Sequence, residues 1–165
     1  MRTALLACGA VICCCVVLLW QPGSAAARTA GLDRAERKVV KLVNRIRSRN
    51  GLRRLKPSPT LATAASVHTG DMLRRDFLGH ASSDGTPMER RVRRYTGADW
   101  VGESVAAVSR RGSTARRVVR MWMASPPHRS VLLSPSGHRI GVGKRAGRLG
   151  SAKRAVFTAD LASHN

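Results

Sequence analysis

Three side chains of this 165-residue chain could share acid–base or metal chemistry: His80 in FLGHASSDG, Glu103 in VGESVA and His128 in MWMASPPHRSVLL. Two imidazoles and one carboxylate could hold zinc with water in the fourth position, or share a proton network with no metal. Zinc or magnesium could occupy such a cleft. Spacings of 23 and 25 residues contain no local ligand pattern such as His-x-x-x-His. The three therefore become a site only if the fold makes them converge. The competing reading is that Glu103 accepts bonds from a histidine or from backbone amides and simply orders the cleft.

Other chemistries find less support. All four cysteines, Cys8, Cys13, Cys14 and Cys15, fall in the first 15 residues, so the rest of the chain has no thiol nucleophile, disulfide or thiolate ligand. Ser82, Ser83, Ser104 and Ser125 lie near histidines in sequence, but no Gly-x-Ser-x-Gly elbow is present. Glycoside cleavage needs a second acid facing Glu103, and none can be assigned. His68 lies on the apolar stripe of a helix and reads as a core or boundary histidine. His138 and His164 read as exposed.

These residues need a scaffold. Leu32, Ala35, Val39, Leu42, Val43 and Ile46 recur at helical spacing and predict a helix from Leu32 to Arg49, stopped at Asn50-Gly51. Lys56-Pro57-Ser58-Pro59 reads as a loop, with Ser58 or Thr60 capping a second helix through Leu61, Ala65, His68 and Met72. Ser83-Asp84-Gly85 is a turn. A short helix is expected at Pro87 to Tyr95, an extended segment at Trp100 to Val108, and a helix at Ser113 to Ala124. Pro126 and Pro127 should then end that helix and leave His128 on a fixed corner. Two strands, Arg139 to Lys144 and Ala155 to Ala162, close the chain around a Gly147 to Gly150 loop. Helices first and strands later, without βα alternation, predict an α+β fold in a single domain.

The amino terminus reads as an address. Arg2, the apolar run from Ala4 to Trp20 and Ala25-Ala26-Ala27 have the order of a secretory signal over residues 1–27. A short linker, 28–35, precedes the domain at 36–162. The chain is expected to be secreted, with an uncleaved amino-terminal membrane anchor as the alternative. The formal charge is +21, from 30 Lys and Arg against nine Asp and Glu, and the leader contributes Arg2 alone. Such an excess attracts anionic cell-envelope polymers, lipid headgroups or nucleic acid over long range. The doublets Arg53-Arg54, Arg74-Arg75, Arg90-Arg91, Arg93-Arg94, Arg110-Arg111 and Arg116-Arg117 have few aromatic rings between them. They read as solvated basic faces, not as a specific nucleic-acid groove, which would need stacking rings.

The order of motifs resembles the bacterial branch of the CAP superfamily, the SCP-like extracellular domains named for cysteine-rich secretory proteins, antigen 5 and pathogenesis-related proteins. LVNRIRSRNGL with Asn44 and Arg47, PSPTLATAASVHTGDM, DFLGHASSDGTPMER, GES, MWMASPPHRSVLL, HRIGVG and VFTADL follow one another in the family's order. The resemblance implies a three-layer α-β-α sandwich with a surface cleft. It places His80, Glu103 and His128 at three positions of a cleft that in other members holds two histidines and two glutamates, with which metal binding has been associated. Ser125 stands where the fourth member, a glutamate, would be, and Ser104 replaces the usual asparagine after Gly-Glu. The expected function is a monomeric, non-enzymatic binder of an envelope or extracellular ligand, lipid or anionic polymer. The alternative is a metal-assisted hydrolase at the three residues.

Overall fold

The computed structural model describes residues 32–112 and 114–164. The expected leader and the first half of the linker, 28–31, lie outside the described residues. In chain order the elements are α1 (Arg34–Arg49), β1 (Lys56–Pro57), α2 (Pro59–Arg74), α3 (Met88–Arg93), β2 (Val101–Ser109), a 3-10 turn (Arg110–Gly112), α4 (Ala115–Ala124), α5 (Pro126–Leu132), β3 (Arg139–Leu149) and β4 (Ala152–Ala162). The strands form one sheet in the order β1-β3-β4-β2. β1 runs parallel to β3, and the other pairs are antiparallel. The α+β sandwich expected from the sequence is present: α1, α4 and α5 cover one face, and α2 with α3 the other.

Alternation along β4 assigns these faces. Ala155, Phe157, Ala159 and Leu161 pack with Val39 and Val43 of α1 and Val118 and Trp122 of α4. Val156 packs instead with Met72 of α2, and Ala162 with Leu61. A strand covered on both faces has few polar positions. That makes Thr158 and Asp160, both fully buried, conspicuous in it.

Local chemistry explains the ends. Asp33 accepts from the Glu36 amide at 2.7 Å while Glu36 accepts from the Asp33 amide at 2.6 Å, a complete capping box for α1. Ser58 caps α2 by accepting from Leu61 N at 3.3 Å, and Pro59 takes the first helical position, where no donor is missed. Asn44 and Arg47 of the LVNRIRSRNGL motif are scaffold residues. Asn44 exchanges two hydrogen bonds with the Leu55 backbone, at 2.9 and 2.7 Å. Arg47, fully buried, donates to the carbonyls of Arg53, Leu132, Ser134 and Gly137. It fastens α1 to the end of α5 and the approach to β3.

α2 lies against β3 because β3 has glycine where they meet. A Cβ on Gly141 would stand 2.0 Å from Ala62 N, and one on Gly143 2.4 Å from Ser66 N. Neither backbone contact can be relieved by a rotamer change.

Three expectations are corrected. Lys56-Pro57, read as a loop, is a short strand on β3, with Lys56 N donating to His138 O at 2.8 Å. The expected Gly147 to Gly150 loop is mostly ladder: β3 continues to Leu149, and the turn is tighter, with Gly150 at φ 59°. The double proline also begins a helix. Ser125, extended at φ −97° and ψ 116°, is the whole corner, and Pro126 and Pro127 occupy the first turn of α5, where their missing donors cost little. His128 therefore stands in the first turn of a helix and not on the corner itself.

Candidate functional site

Glu103 faces Asp160 across the β2–β4 ladder, on the sheet face under α2. Alternation put it there, since Val105, two residues on, packs with Met72. Three elements converge on its carboxylate. His80, in the loop after α2, places Nδ1 2.8 Å from Oε1. Arg91, on α3, donates through Nη2 to Oε2. His68, on α2, holds Nε2 3.8 Å from Oε2. Arg91 also turns Nη1 toward Asp160, 3.6 Å from Oδ2.

The loop carrying His80 is tied down from α2. His68 Nε2 donates to Gly79 O at 2.9 Å, which fixes the proton on that nitrogen. Asp71 accepts from both the amide and the hydroxyl of Ser83, each at 2.9 Å. The Ser83-Asp84-Gly85 turn forms as expected, with Thr86 N donating to Asp84 Oδ1 at 2.9 Å and Gly85 at φ 79°. His128 reaches the same place from α5. Its ring centroid lies 5.9 Å from that of His80, with the planes tilted by 54°. His80, Glu103 and His128 thus converge, Glu103 buried and the side chain of His80 half exposed.

The electrostatics separate these groups. Burial pushes the Glu103 carboxyl up, but the His80 hydrogen bond and then the charge of Arg91 outweigh it and leave Glu103 below the ordinary carboxylate range. Asp160 goes the other way. Full burial, reinforced by the charge of Glu103, holds it well above that range despite Arg91. The hydrogen bond to Glu103 raises His80. Desolvation lowers His128, and the neighbouring His80 lowers it further. Desolvation also lowers His68, which meets Glu103 as a neutral imidazole. The buried centre thus sets two facing acids apart, Glu103 shifted down and Asp160 shifted up, with the Arg91 guanidinium against both.

Arg91 and Asp160 were not singled out by the sequence. Arg91 belongs to a basic doublet read as solvated, yet its side chain is 7 % exposed, whereas Arg90 is exposed. The available signal was Asp160 itself, an acid inside the apolar run VFTADLA, because a buried carboxyl demands a partner or a proton. His68 is a core histidine, as expected, but it also touches the cleft carboxylate. Trp122 is scaffold, 1 % exposed, with its indole nitrogen donating to Val105 O at 3.0 Å.

The donor set bears directly on metal. Both oxygens of Glu103 are engaged, by His80 and by Arg91. Among the described residues no group of three or more His, Cys, Asp or Glu side chains is placed to hold a metal ion. Two imidazoles fall short of the three protein ligands of a catalytic zinc centre. Magnesium asks for oxygen donors, and the carboxylates here lie against a guanidinium. As arranged, the residues do not fit a three-ligand zinc or magnesium centre.

A three-layer sandwich whose cleft gathers two histidines around a buried glutamate near the start of β2 defines the class of protein. The chain belongs to the CAP, or cysteine-rich secretory protein, family, whose model matches residues 40–159. It is 33% identical over 109 residues to YkwD of Bacillus subtilis (strain 168), covering 66% of this chain and 41% of that protein. It is 29% identical over 110 residues to the B. subtilis membrane protein YlbC, covering 66% of this chain and 31% of that protein. The chain thus spans less than half the length of these curated relatives. Among solved structures, an extracellular SCP-domain protein from Bacillus anthracis str. Ames superposes with a TM-score of 0.65 at 26% identity, over 78% of this chain and 40% of that one. An outer surface protein from Borrelia burgdorferi gives 0.67 at 19% identity, over 81% and 95%, a likeness of fold alone.

Proposed function

We propose that this CAP domain is a secreted, non-enzymatic binder of an anionic ligand at the cell envelope, polymer or lipid headgroup, and that the His80, Glu103 and His128 cleft is an ordered binding wall. The observation that carries this reading is the engagement of Glu103, one oxygen facing His80 and the other Arg91. A carboxylate held ionised in this way is a poor general acid, and as a base it would have to break a buried ion pair. The formal charge of +21 supplies the attraction to anionic surfaces. Similarity to one extracellular protein and one outer-surface protein agrees with export. Among the described residues no helix is long and apolar enough to cross a membrane.

The test is retention of the protein on anionic vesicles, neutral vesicles and purified anionic wall polymer over a range of salt. Retention on at least one anionic surface that falls as salt rises supports the reading. Indifference to all three surfaces overturns it. The hydrolase alternative requires Glu103 to release His80 or Arg91 before it could serve a metal. Zinc and magnesium stoichiometry of the purified protein, measured beside His80→Ala and His128→Ala, decides it: bound metal lost in both variants would favour the alternative.

A further inference from the structure

We infer that the outer face of the α1–α4 helical layer is the surface that docks, and that its partner is an anionic lipid bilayer. This rests on the proposed envelope-binding role and assigns it to one side of the molecule.

The long helices on the two faces of the sheet differ in charge. On α2 the exposed positions before Arg74 include Thr60, Thr63 and Val67 and no cation, and exposed cations on that side such as Arg90 and Arg93 belong to the short α3, beside the exposed acid Glu89. On α1 and α4, Lys38, Lys41, Arg45, Arg116, Arg117 and Arg120 are all exposed. Lys38, Lys41 and Arg45 recur at three and four, so they form one row along α1, and Arg116 and Arg120 are likewise neighbours on α4. Nothing on the layer neutralises them. α4 and α5 contain no acidic residue, and the one acid of α1, Glu36, is spent on the Asp33 and Lys144 amides at 2.6 and 2.9 Å. Among the described residues none of the six cations is in an ion pair; the pairs that form lie at α2, in the cleft and between Lys144 and Asp33. Both helices belong to the same side of the sheet, packing on one core.

An uncompensated row of cations on a layer of two helices suits an extended anionic surface, which takes up many charges at once. Met121 distinguishes a bilayer from a soluble polymer. It is 43% exposed, one helical turn from Arg117 and next to Arg120, so an apolar side chain stands amid the cations. At a bilayer the cations meet headgroups while an apolar side chain reaches the acyl boundary. A hydrated polyanion offers it nothing.

The test uses the full chain and co-sedimentation with vesicles of phosphatidylglycerol and phosphatidylcholine. Pure phosphatidylcholine vesicles subtract any contribution of the apolar leader. Replacing Lys38, Lys41, Arg45, Arg116, Arg117 and Arg120 by Gln should lower the anionic-specific partition at least about tenfold. A control with the same net charge replaces Arg53, Arg54, Lys56, Arg90, Arg148 and Lys153 by Gln, and should lose less than about threefold. Met121→Gln, which keeps every charge and changes an exposed side chain, should lower partition to vesicles and leave retention on purified wall polymer unchanged. Equal losses in the two six-site variants would overturn the assignment of the face. Wild-type protein that binds the polymer but prefers no vesicle would overturn the bilayer and leave the envelope role standing. Indifference to both would remove the two together.

Discussion

Glu103 and Asp160 stand directly opposite each other on β2 and β4, and one guanidinium, Arg91, reaches both carboxyl groups. Like charges in a cross-strand pair repel, and burial makes each charge costly. The conflict is eased by shifting the two acids in opposite directions. His80 and Arg91 favour the ionised form of Glu103, while burial and the charge of Glu103 favour the protonated form of Asp160. The cleft is built on this asymmetry.

Arg91 should be the residue whose loss costs most. Arg91→Met would leave Glu103 buried without its cation, at about 3–5 kcal/mol. Arg91→Lys should recover part of that, because it restores the charge without the two-pronged reach. Urea unfolding midpoints of the three proteins measure both effects. A midpoint for Arg91→Met within error of wild type would mean that the buried pair does not form.

Asp160→Asn should behave differently. A carboxyl whose pKa is raised by folding contributes stability that is full below its unfolded value, about 3.9, and is lost as pH rises toward the folded value. The neutral Asn variant lacks this loss. Relative to wild type, the variant should therefore gain stability between pH 4 and pH 7, read from denaturant midpoints at both. A relative gain by wild type over that interval would mean that Asp160 is ionised in the fold.

The histidines report the same network. Glu103→Gln replaces the carboxylate that raises His80 with a neutral amide, so the His80 imidazole should titrate lower in the variant than in wild type by NMR. The stability that His80 draws from Glu103 is present below its unfolded pKa of about 6.5 and fades as pH climbs through the raised folded value. His128 should titrate below His80 in the wild-type protein, since burial and its neighbour both lower it. The reverse order would place the Glu103 contact on the wrong imidazole.

Glycines on β3 give a purely steric prediction. Gly143→Ala would drive a Cβ to 2.4 Å from Ser66 N, a backbone atom. Gly147→Ala would meet only the end of Leu73, at 3.2 Å. The first should cost more than about 3 kcal/mol and the second under about 1 kcal/mol. Thermal or urea unfolding separates them, and similar costs would contradict the close approach of α2 to the sheet.

Much of the scaffold was legible because the signals are local. Helical spacing and the stop at Asn50-Gly51 place α1 to within two residues, and Ser58 followed by Pro59 marks the start of α2. β1 was not legible, since two residues become a strand only when β3 offers a ladder. α5 was hidden by a real ambiguity: proline breaks a helix behind it and begins one ahead of it. In the site, His80, Glu103 and His128 came from motif order, and the fold brings them together. Arg91 was masked by Arg90, because adjacent residues on a helix point about 100° apart and only one of the pair meets solvent. The pairing of Glu103 with Asp160 depends on strand register over 57 residues of sequence, which no spacing rule carries.

Carboxyl-carbon NMR titration of the full chain, with Glu103→Gln and Asp160→Asn used for assignment, tests most directly whether Glu103 is engaged or free to do chemistry. Glu103 should remain ionised to below the ordinary glutamate range, while Asp160 should release its proton only above the ordinary aspartate range. A Glu103 signal that titrates above its ordinary range, with Asp160 at or below its own, would contradict the ordered, non-catalytic cleft and make Glu103 a candidate general acid.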